Sequence, residues 1–222
     1  MGCKCGHQNS DNNELDTIII PVPRIKINNT DDIIKKEEEY MKKYAEYPIK
    51  IIELINRIRQ NPKDYADIVE YSIKYIIKEY NELEPNNPKI FYKNIVKVAL
   101  TRGEPAFREA AQELRNMTSM PPLEFKGDIC IPLPNNEKEF KDSNYLRERV
   151  KEILSKNIHI NIFFKEMVKI PETSVLLMIV DDNSMKNYGK KRKAILNKKY
   201  KYIGVTYRFI GKTFISYFSF SK

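Results

Sequence analysis

The sequence predicts an α/β fold: an α-β-α sandwich in which a small, mainly antiparallel sheet is flanked by helices. Three observations predict it. Apolar residues recur at helical spacing through the first two thirds of the chain, and alternating, strand-like patterns fill the last third. Gly211-Lys212 separates two of these alternating segments, as the turn of a hairpin does. At 222 residues, the chain is long enough for one good core, or for one core with an additional arm.

The first predicted helices follow a polar, Asn-rich stretch. Residues 31–60 are expected to be helical with a break at Pro48, so that a second helix begins there. Four apolar residues recur at helical spacing in this second helix: Ile51, Leu54, Ile55 and Ile58. Residues 63–80 are predicted to form another amphipathic helix, and residues 81–91 are predicted to form a loop.

Helices are also predicted over residues 105–117, where Pro105 suits a first turn, and over residues 142–156. The pattern then changes. Residues 173–182, TSVLLMIVDD, form a short apolar run that predicts a buried strand. Residues 202–211 and 212–220 alternate and predict the two strands of the hairpin.

The net charge and the positions of the cysteines indicate which partners and which cellular compartment to expect. The formal net charge is +9, which favours nucleic acid, anionic lipid or an acidic protein as a partner. Two of the three cysteines lie in the first five residues, which favours a reducing compartment over a disulfide-stapled secreted module. No apolar run approaches the roughly 18 residues that span a bilayer. We therefore expect the protein in the cytoplasm, or on a membrane that faces it.

The first six residues, MGCKCG, carry the pattern of an acylated N-terminus. N-myristoylation requires Gly2, and the usual motif has Ser or Thr where this chain has Gly6. Since one myristoyl chain binds a membrane only marginally, a second signal is needed, and Cys3 and Cys5 suit palmitoylation. Two alternatives stay open: half of a zinc site, for which the chain lacks a second Cys/His pair, and an inert tail.

A set of ordered sequence pieces resembles the CAP superfamily, named after cysteine-rich secretory proteins, antigen 5 and pathogenesis-related proteins. Asn56 and Arg59 match the N-x-x-R core of the family's first helix. Toward the C-terminus, Val180-Asp181-Asp182 resembles its strand ending in Asp, and Gly189 to Arg192 resembles its Gly-His-Arg turn. Ile203-Gly204-Val205 resembles the "iGvg" segment before the final aromatic strand.

The resemblance implies a division of the chain and a fold for most of it. We expect a flexible acylated tail over 1–30, a helical lead-in over 31–47 and a CAP-like domain of the divergent microbial-eukaryote type over 48–222. Structural roles are expected for the matched motif residues Asn56, Arg59, Gly189 and Gly204. Gly204 lies where a backbone must pass closely or twist, and the Asn56 amide suits a hydrogen bond to a helix end or a neighbouring loop.

The histidines that many CAP members use are missing. Those members carry a cleft with two His and two Glu, whereas this chain has only His7 and His159, and Lys191 stands where a histidine would. A charged ammonium is no metal ligand. We therefore expect no catalytic residues, no metal and no cofactor. Cys130, between two isoleucines, is expected to be buried and inert.

Residues 186–201 form a basic run. Six of its residues are predicted to contact anionic lipid: Lys190, Lys191, Arg192, Lys193, Lys198 and Lys199. A solvated Lys-rich surface and a nucleic-acid contact are the alternatives.

Together these features predict a non-catalytic CAP-like domain, anchored on the cytoplasmic face of a membrane, that binds a lipid or a membrane-associated protein. Lipid binding is implied by resemblance to sterol- and fatty-acid-binding members. Two alternatives remain. One is a degenerate metal-dependent hydrolase that uses His159 and nearby carboxylates, and the other is a basic nucleic-acid-binding module.

Overall fold

The computed structural model describes residues 39, 42–82, 84–142, 144–182 and 189–222. The α-helices in these residues are α1 (Tyr47–Gln60), α2 (Pro62–Tyr71), α3 (Glu104–Arg115), α4 (Glu137–Lys141), α5 (Tyr145–Ser155), α6 (Pro171–Val180) and α7 (Lys190–Ile195). The strands are β1 (Ile76–Asn81), β2 (Glu84–Lys93), β3 (Lys97–Leu100), β4 (Glu124–Phe125), β5 (Ile162–Glu166), β6 (Tyr202–Ile210) and β7 (Thr213–Ser221). Gly2, Cys3 and Cys5, the expected acylation residues, lie outside the described residues, as do residues 31–38, 40 and 41 of the expected lead-in.

A four-stranded sheet with the order β4-β6-β7-β5 forms the centre of the fold. Its β4–β6 pair is parallel, and its other two pairs are antiparallel. Ile210 pairs with Thr213 across the turn, where Gly211 has a φ of 58°, a conformation that glycine adopts without steric cost. The predicted hairpin is therefore confirmed.

The central sheet buries both of its faces. Because successive strand residues point to opposite sides, Phe214, Phe218 and Phe220 of β7 face the main core, with α1, α2, α3 and α6. Ile215 and Tyr217 face a second core, with Ile153 of α5. Each fully buried aliphatic or aromatic side chain contributes about 1.5–3 kcal/mol to folding. Helices therefore cover the sheet on both sides, and the predicted α/β class is confirmed.

The predicted helices that carry one clear apolar face are also present. In α1, Ile51, Ile55 and Ile58 are fully buried at helical spacing. The helix begins beside Pro48, which occupies its first turn as predicted. The helix predicted over 105–117 is α3, and the one predicted over 142–156 is α5.

A second, three-stranded antiparallel sheet corrects two sequence predictions. The helix predicted over 63–80 ends at Tyr71, and a short 3-10 helix over Ser72–Tyr75 leads from it into β1. The loop predicted over 81–91 is mostly β2. Ile76 pairs with Tyr92 and Ile90 pairs with Leu100. The apolar residues of β1 fit a helical as well as a strand pattern, so the backbone hydrogen bonds to β2 decide between the two.

The predicted strand over 173–182 is wrong, since this segment is helix α6. Seven of its ten residues, from Thr173 to Val180, are buried, so no exposed face gives the sequence a helical period. Pro171 at the start of the helix and Asp181 just after its end mark the boundaries. A short, wholly apolar run cannot be assigned by periodicity.

Candidate functional site

The candidate site is the corner where α6 ends and α7 begins, with the acidic side chains that face it from α3 and β5. Asp181 follows α6 in the left-handed region, with a φ of 48°, which aspartate adopts more readily than most residues. Its Oδ2 accepts a hydrogen bond from the Lys191 backbone N–H at 2.8 Å. Asp181 thereby ties the end of α6 to the first turn of α7.

Asp182 joins the same corner to the start of α3. Its carboxylate accepts backbone N–H groups from Thr101 at 2.6 Å, Arg102 at 2.8 Å and Gly103 at 3.4 Å. Burial raises the pKa of Asp182, and the three hydrogen bonds oppose that rise. The two aspartates of the Val180-Asp181-Asp182 motif therefore hold neighbouring elements together.

Arg192 fills the centre of the corner and is fully buried. Its Nε donates to Glu113 Oε2 at 2.7 Å, and its Nη2 donates to Glu109 Oε1 at 3.0 Å and to Glu113 Oε1 at 3.2 Å. Its Nη1 donates to the carbonyls of Ile179 and Val180 at 3.0 and 2.8 Å. All five guanidinium N–H donors are thus used. The predicted contact of Arg192 with anionic lipid is wrong, because the side chain lies inside the protein.

Glu109 lies between two arginines. Besides Arg192, it accepts a hydrogen bond from Arg102 Nη2 at 2.9 Å. The Arg102 hydrogen bond, with the charge of Arg192, holds the pKa of the Glu109 carboxyl below its usual value. The corner therefore favours an ionised Glu109.

Lys191, the residue that stands where the CAP resemblance has a histidine, forms an ion pair with Glu166 at the end of β5. The Lys191 side chain is 26% exposed and that of Glu166 is 11% exposed. The Lys191 ammonium is therefore bound by a carboxylate and largely covered by protein. The exposed contact with lipid that was expected of Lys191 is not what the structure shows.

A buried polar network lies next to this ion pair. Tyr47 Oη is 3.2 Å from the Oγ atoms of Ser174 and Ser216, and it donates to the Val168 carbonyl at the same distance. Ser216 Oγ donates to the Glu166 carbonyl at 3.4 Å. Burial raises the pKa of Tyr47 to about 12, so its hydroxyl stays protonated at physiological pH. Sequence reasoning missed this network, because isolated Tyr and Ser residues form no recognisable motif.

The remaining residues of the predicted lipid contact are exposed. They are Lys190, Lys193, Lys198 and Lys199, named here the outer lysines. Arg59 helps to position them, since it lies fully buried in α1 and donates to backbone carbonyls around the segment that follows α7. These are the carbonyls of Ile195 at 2.6 Å, Asn197 at 3.1 Å and Tyr200 at 3.3 Å.

The other matched motif residues have contacts that fit structural roles. Asn56 donates to the Leu123 carbonyl at 2.9 Å and accepts the Leu123 N–H at 2.7 Å, which fixes the neighbouring loop as expected. Gly189 precedes α7 with a φ of 72°, a conformation that L side chains rarely adopt. A Cβ on Gly204 would collide with Ser219 Oγ and approach the Cys130 nitrogen to 3.0 Å.

Within the described residues, the one cysteine and the one histidine, Cys130 and His159, are not part of the corner. Cys130 is half-buried rather than buried, and burial raises the pKa of its thiol. His159 is exposed. Across the described ranges, no three His, Cys, Asp or Glu residues group closely enough to hold a metal ion.

No helix in the described part of the chain combines the length and apolar character that a membrane crossing requires. Comparisons of the chain with protein-family models, with curated proteins and with solved structures find no match.

Proposed function

We propose that this chain is a non-catalytic CAP-like domain that N-terminal acylation holds on the cytoplasmic face of a membrane, where it binds a lipid or a membrane-associated protein. The sequence supports the anchor through Gly2, which suits myristoylation, and through Cys3 and Cys5, which suit palmitoylation. The structure supports the rest through one observation: α7 and the segment after it divide their cationic residues between the inside and the outside.

The inner residues support a binding role over a catalytic one. Lys191 and Arg192 are bound to carboxylates, Lys191 to Glu166 and Arg192 to Glu109 and Glu113. A buried guanidinium with every donor used stabilises the corner and has no donor left for a substrate. An ammonium in place of an imidazole supplies neither a metal ligand nor a general base near neutral pH.

The outer lysines support the proposal that the domain binds an anionic membrane surface. Near an anionic leaflet, each lysine contributes about 1 kcal/mol of attraction. Four together contribute up to roughly 4 kcal/mol, which is on the order of a thousandfold in partitioning. A myristoyl chain alone gives a partition constant of only about 10⁴ M⁻¹, so the lysines and the acyl chains reinforce one another.

The anchor is tested by metabolic labelling of the full chain with an alkyne myristate in a eukaryotic cell, followed by membrane pelleting. We expect the wild type to carry label and to pellet. Gly2→Ala should lose both, and Cys3→Ser/Cys5→Ser should keep the myristate label but leave the membrane fraction. An unlabelled, non-pelleting wild type would refute the anchor.

The lysine contribution is tested by replacing the four outer lysines with Gln. On vesicles of phosphatidylcholine with phosphatidylserine, partitioning should fall by two to three orders of magnitude, and it should not change on neutral vesicles. A matched control removes four exposed lysines elsewhere: Lys63, Lys89, Lys93 and Lys138. Equal losses in the two variants would mean that net charge alone, and not this surface, drives binding.

A further inference from the structure

Strand β5 forms one edge of the central sheet. It pairs with β7 on one side only, through the register Ile162–Phe220 to Glu166–Ser216. Among the described residues, no strand pairs with its other side. An unpaired edge presents backbone N–H and C=O groups that another extended chain can pair with.

A groove runs between this edge and helix α5. It consists of two adjoining depressions of about 340 and 260 Å³ that share Val150 and Phe163. Leu146 adds to its apolar floor, and Arg147 and Lys151 form its rim. Because Leu146 and Val150 are four residues apart on α5, as are Arg147 and Lys151, the helix presents one apolar and one basic row.

Among the described residues, the basic residues around the groove have no acidic partners. In the described part of the chain, no carboxylate lies within ion-pair distance of Arg147, Lys151 or Lys165. By contrast, Glu152 of the same helix is bound by Arg149 and Lys156. Lys165 projects from β5 over the Phe140 ring at 4.8 Å. The groove is therefore lined by positive charge that the described residues do not neutralise.

The groove also borders an unsatisfied donor. Asn161, which lines the second depression, has a buried side-chain Nδ2. Within the described residues, this nitrogen is the one buried side-chain polar atom without a hydrogen-bond partner. A buried donor without a partner costs about 1–3 kcal/mol, so an acceptor brought to this position would gain affinity.

We propose that an extended, acidic segment of a partner protein binds in this groove as an added strand. Its backbone pairs with the free edge of β5, its apolar side chains pack on Leu146 and Val150, and its carboxylates meet Arg147 and Lys151. This mode joins main-chain hydrogen bonds, which give affinity, to alternating side-chain contacts, which give specificity. A segment that matches the five residues of β5 spans about 17 Å.

This inference goes beyond the proposed membrane role, and its test needs no acyl chain. A library of random ten-residue peptides is displayed and selected on immobilised full-length protein made in bacteria. The strongest peptide is then synthesised with fluorescein, and its Kd is measured by anisotropy. We expect enrichment of peptides that alternate apolar residues with Asp or Glu.

Two variants separate this groove from the outer lysines. Arg147→Glu/Lys151→Glu should weaken the peptide at least tenfold, whereas Lys190→Glu/Lys193→Glu should leave its Kd unchanged. All four residues are exposed, so both variants should melt like the wild type. In addition, two peptides are made, one N-methylated at its odd residues and the other at its even residues. One of them should lose binding and the other should keep it, because only every second N–H of an added antiparallel strand faces the edge.

Three results would overturn the inference. Selection without any enriched sequence would mean that Lys165 protects the edge from pairing, as charged residues on edge strands do. Equal affinity for the wild type and the Arg147→Glu/Lys151→Glu variant would place the peptide elsewhere. Weaker binding of this variant to phosphatidylserine vesicles, with no peptide enriched, would assign the groove to anionic lipid.

Discussion

Replacement of Arg192 by Met is the sharpest test of the corner between α6 and α7. Met keeps an unbranched apolar side chain but removes all five N–H donors. Glu109 and Glu113 then lose a cationic partner, and the carbonyls of Ile179 and Val180 lose hydrogen bonds of 3.0 and 2.8 Å. A variant that abolishes these contacts at once should be severely destabilised.

The expected magnitude follows from burial. Removal of one partner from a buried ion pair costs about 3–5 kcal/mol. The Arg192 side chain is 1% exposed, but those of Glu109 and Glu113 are 27% and 37% exposed. Since water can solvate the two carboxylates in part, we expect the lower end of that range, about 3 kcal/mol.

The assay is urea unfolding followed by circular dichroism. With a slope of about 2 kcal/mol per molar urea, Arg192→Met should lower the unfolding midpoint by about 1.5 M. Lys193→Met is the matched control, because it removes the same charge from the same helix at an exposed position. Its stability should change by less than about 0.5 kcal/mol. Midpoints that coincide for the two variants would refute the buried role of Arg192.

Three further predictions concern other parts of the fold. Gly204→Ala should destabilise by about 1–3 kcal/mol through overpacking, whereas Gly127→Ala, whose Cβ would meet nothing within 4 Å, should change the melting temperature little. Because its pKa is lowered in the folded state, Glu109 stabilises the protein above its unfolded pKa and loses this effect as pH falls through its folded pKa. Glu109→Gln should therefore be less stable than the wild type at pH 7, and stability curves of the two should converge in acid. Asn56→Ala should cost about 1–3 kcal/mol, because the N–H and C=O of Leu123 lose their side-chain partner; unchanged unfolding would show that water replaces the amide.

Periodicity predicted the elements that have one clearly apolar face. Helices α1, α3 and α5 each place buried and exposed residues at helical spacing, so a single sequence suffices to find them. The β6–β7 hairpin was found from its alternating residue types and its Gly211-Lys212 turn, although nearly all of β7 is buried. Periodicity gave the wrong element where a segment has no contrast between an apolar face and a polar face. Helix α6 is apolar on nearly every side. Segments β1 and β2 are strands because their backbones hydrogen-bond to each other.

Charge patterning was informative about residue types but not about their locations. The sequence shows the basic run clearly, but it does not distinguish which of Lys190, Arg192 and Lys193 are exposed and which are buried. Only Lys190 and Lys193 are exposed, since the turn of α7 directs Arg192 inward. Its partners Glu109 and Glu113 lie about eighty residues away in α3, a distance at which no sequence spacing indicates contact.

By itself, the sequence determined the α/β class, the paired strands at the C-terminus, the basic character of residues 190–199 and the candidate acylation residues at the N-terminus. These follow from local composition and period, which a chain carries before it folds. The tertiary structure alone decided which cations are bound to carboxylates, that Tyr47 joins Ser174 and Ser216, and that β5 ends the sheet beside a basic groove. Those properties depend on long-range contacts, and only the packed core brings such residues together.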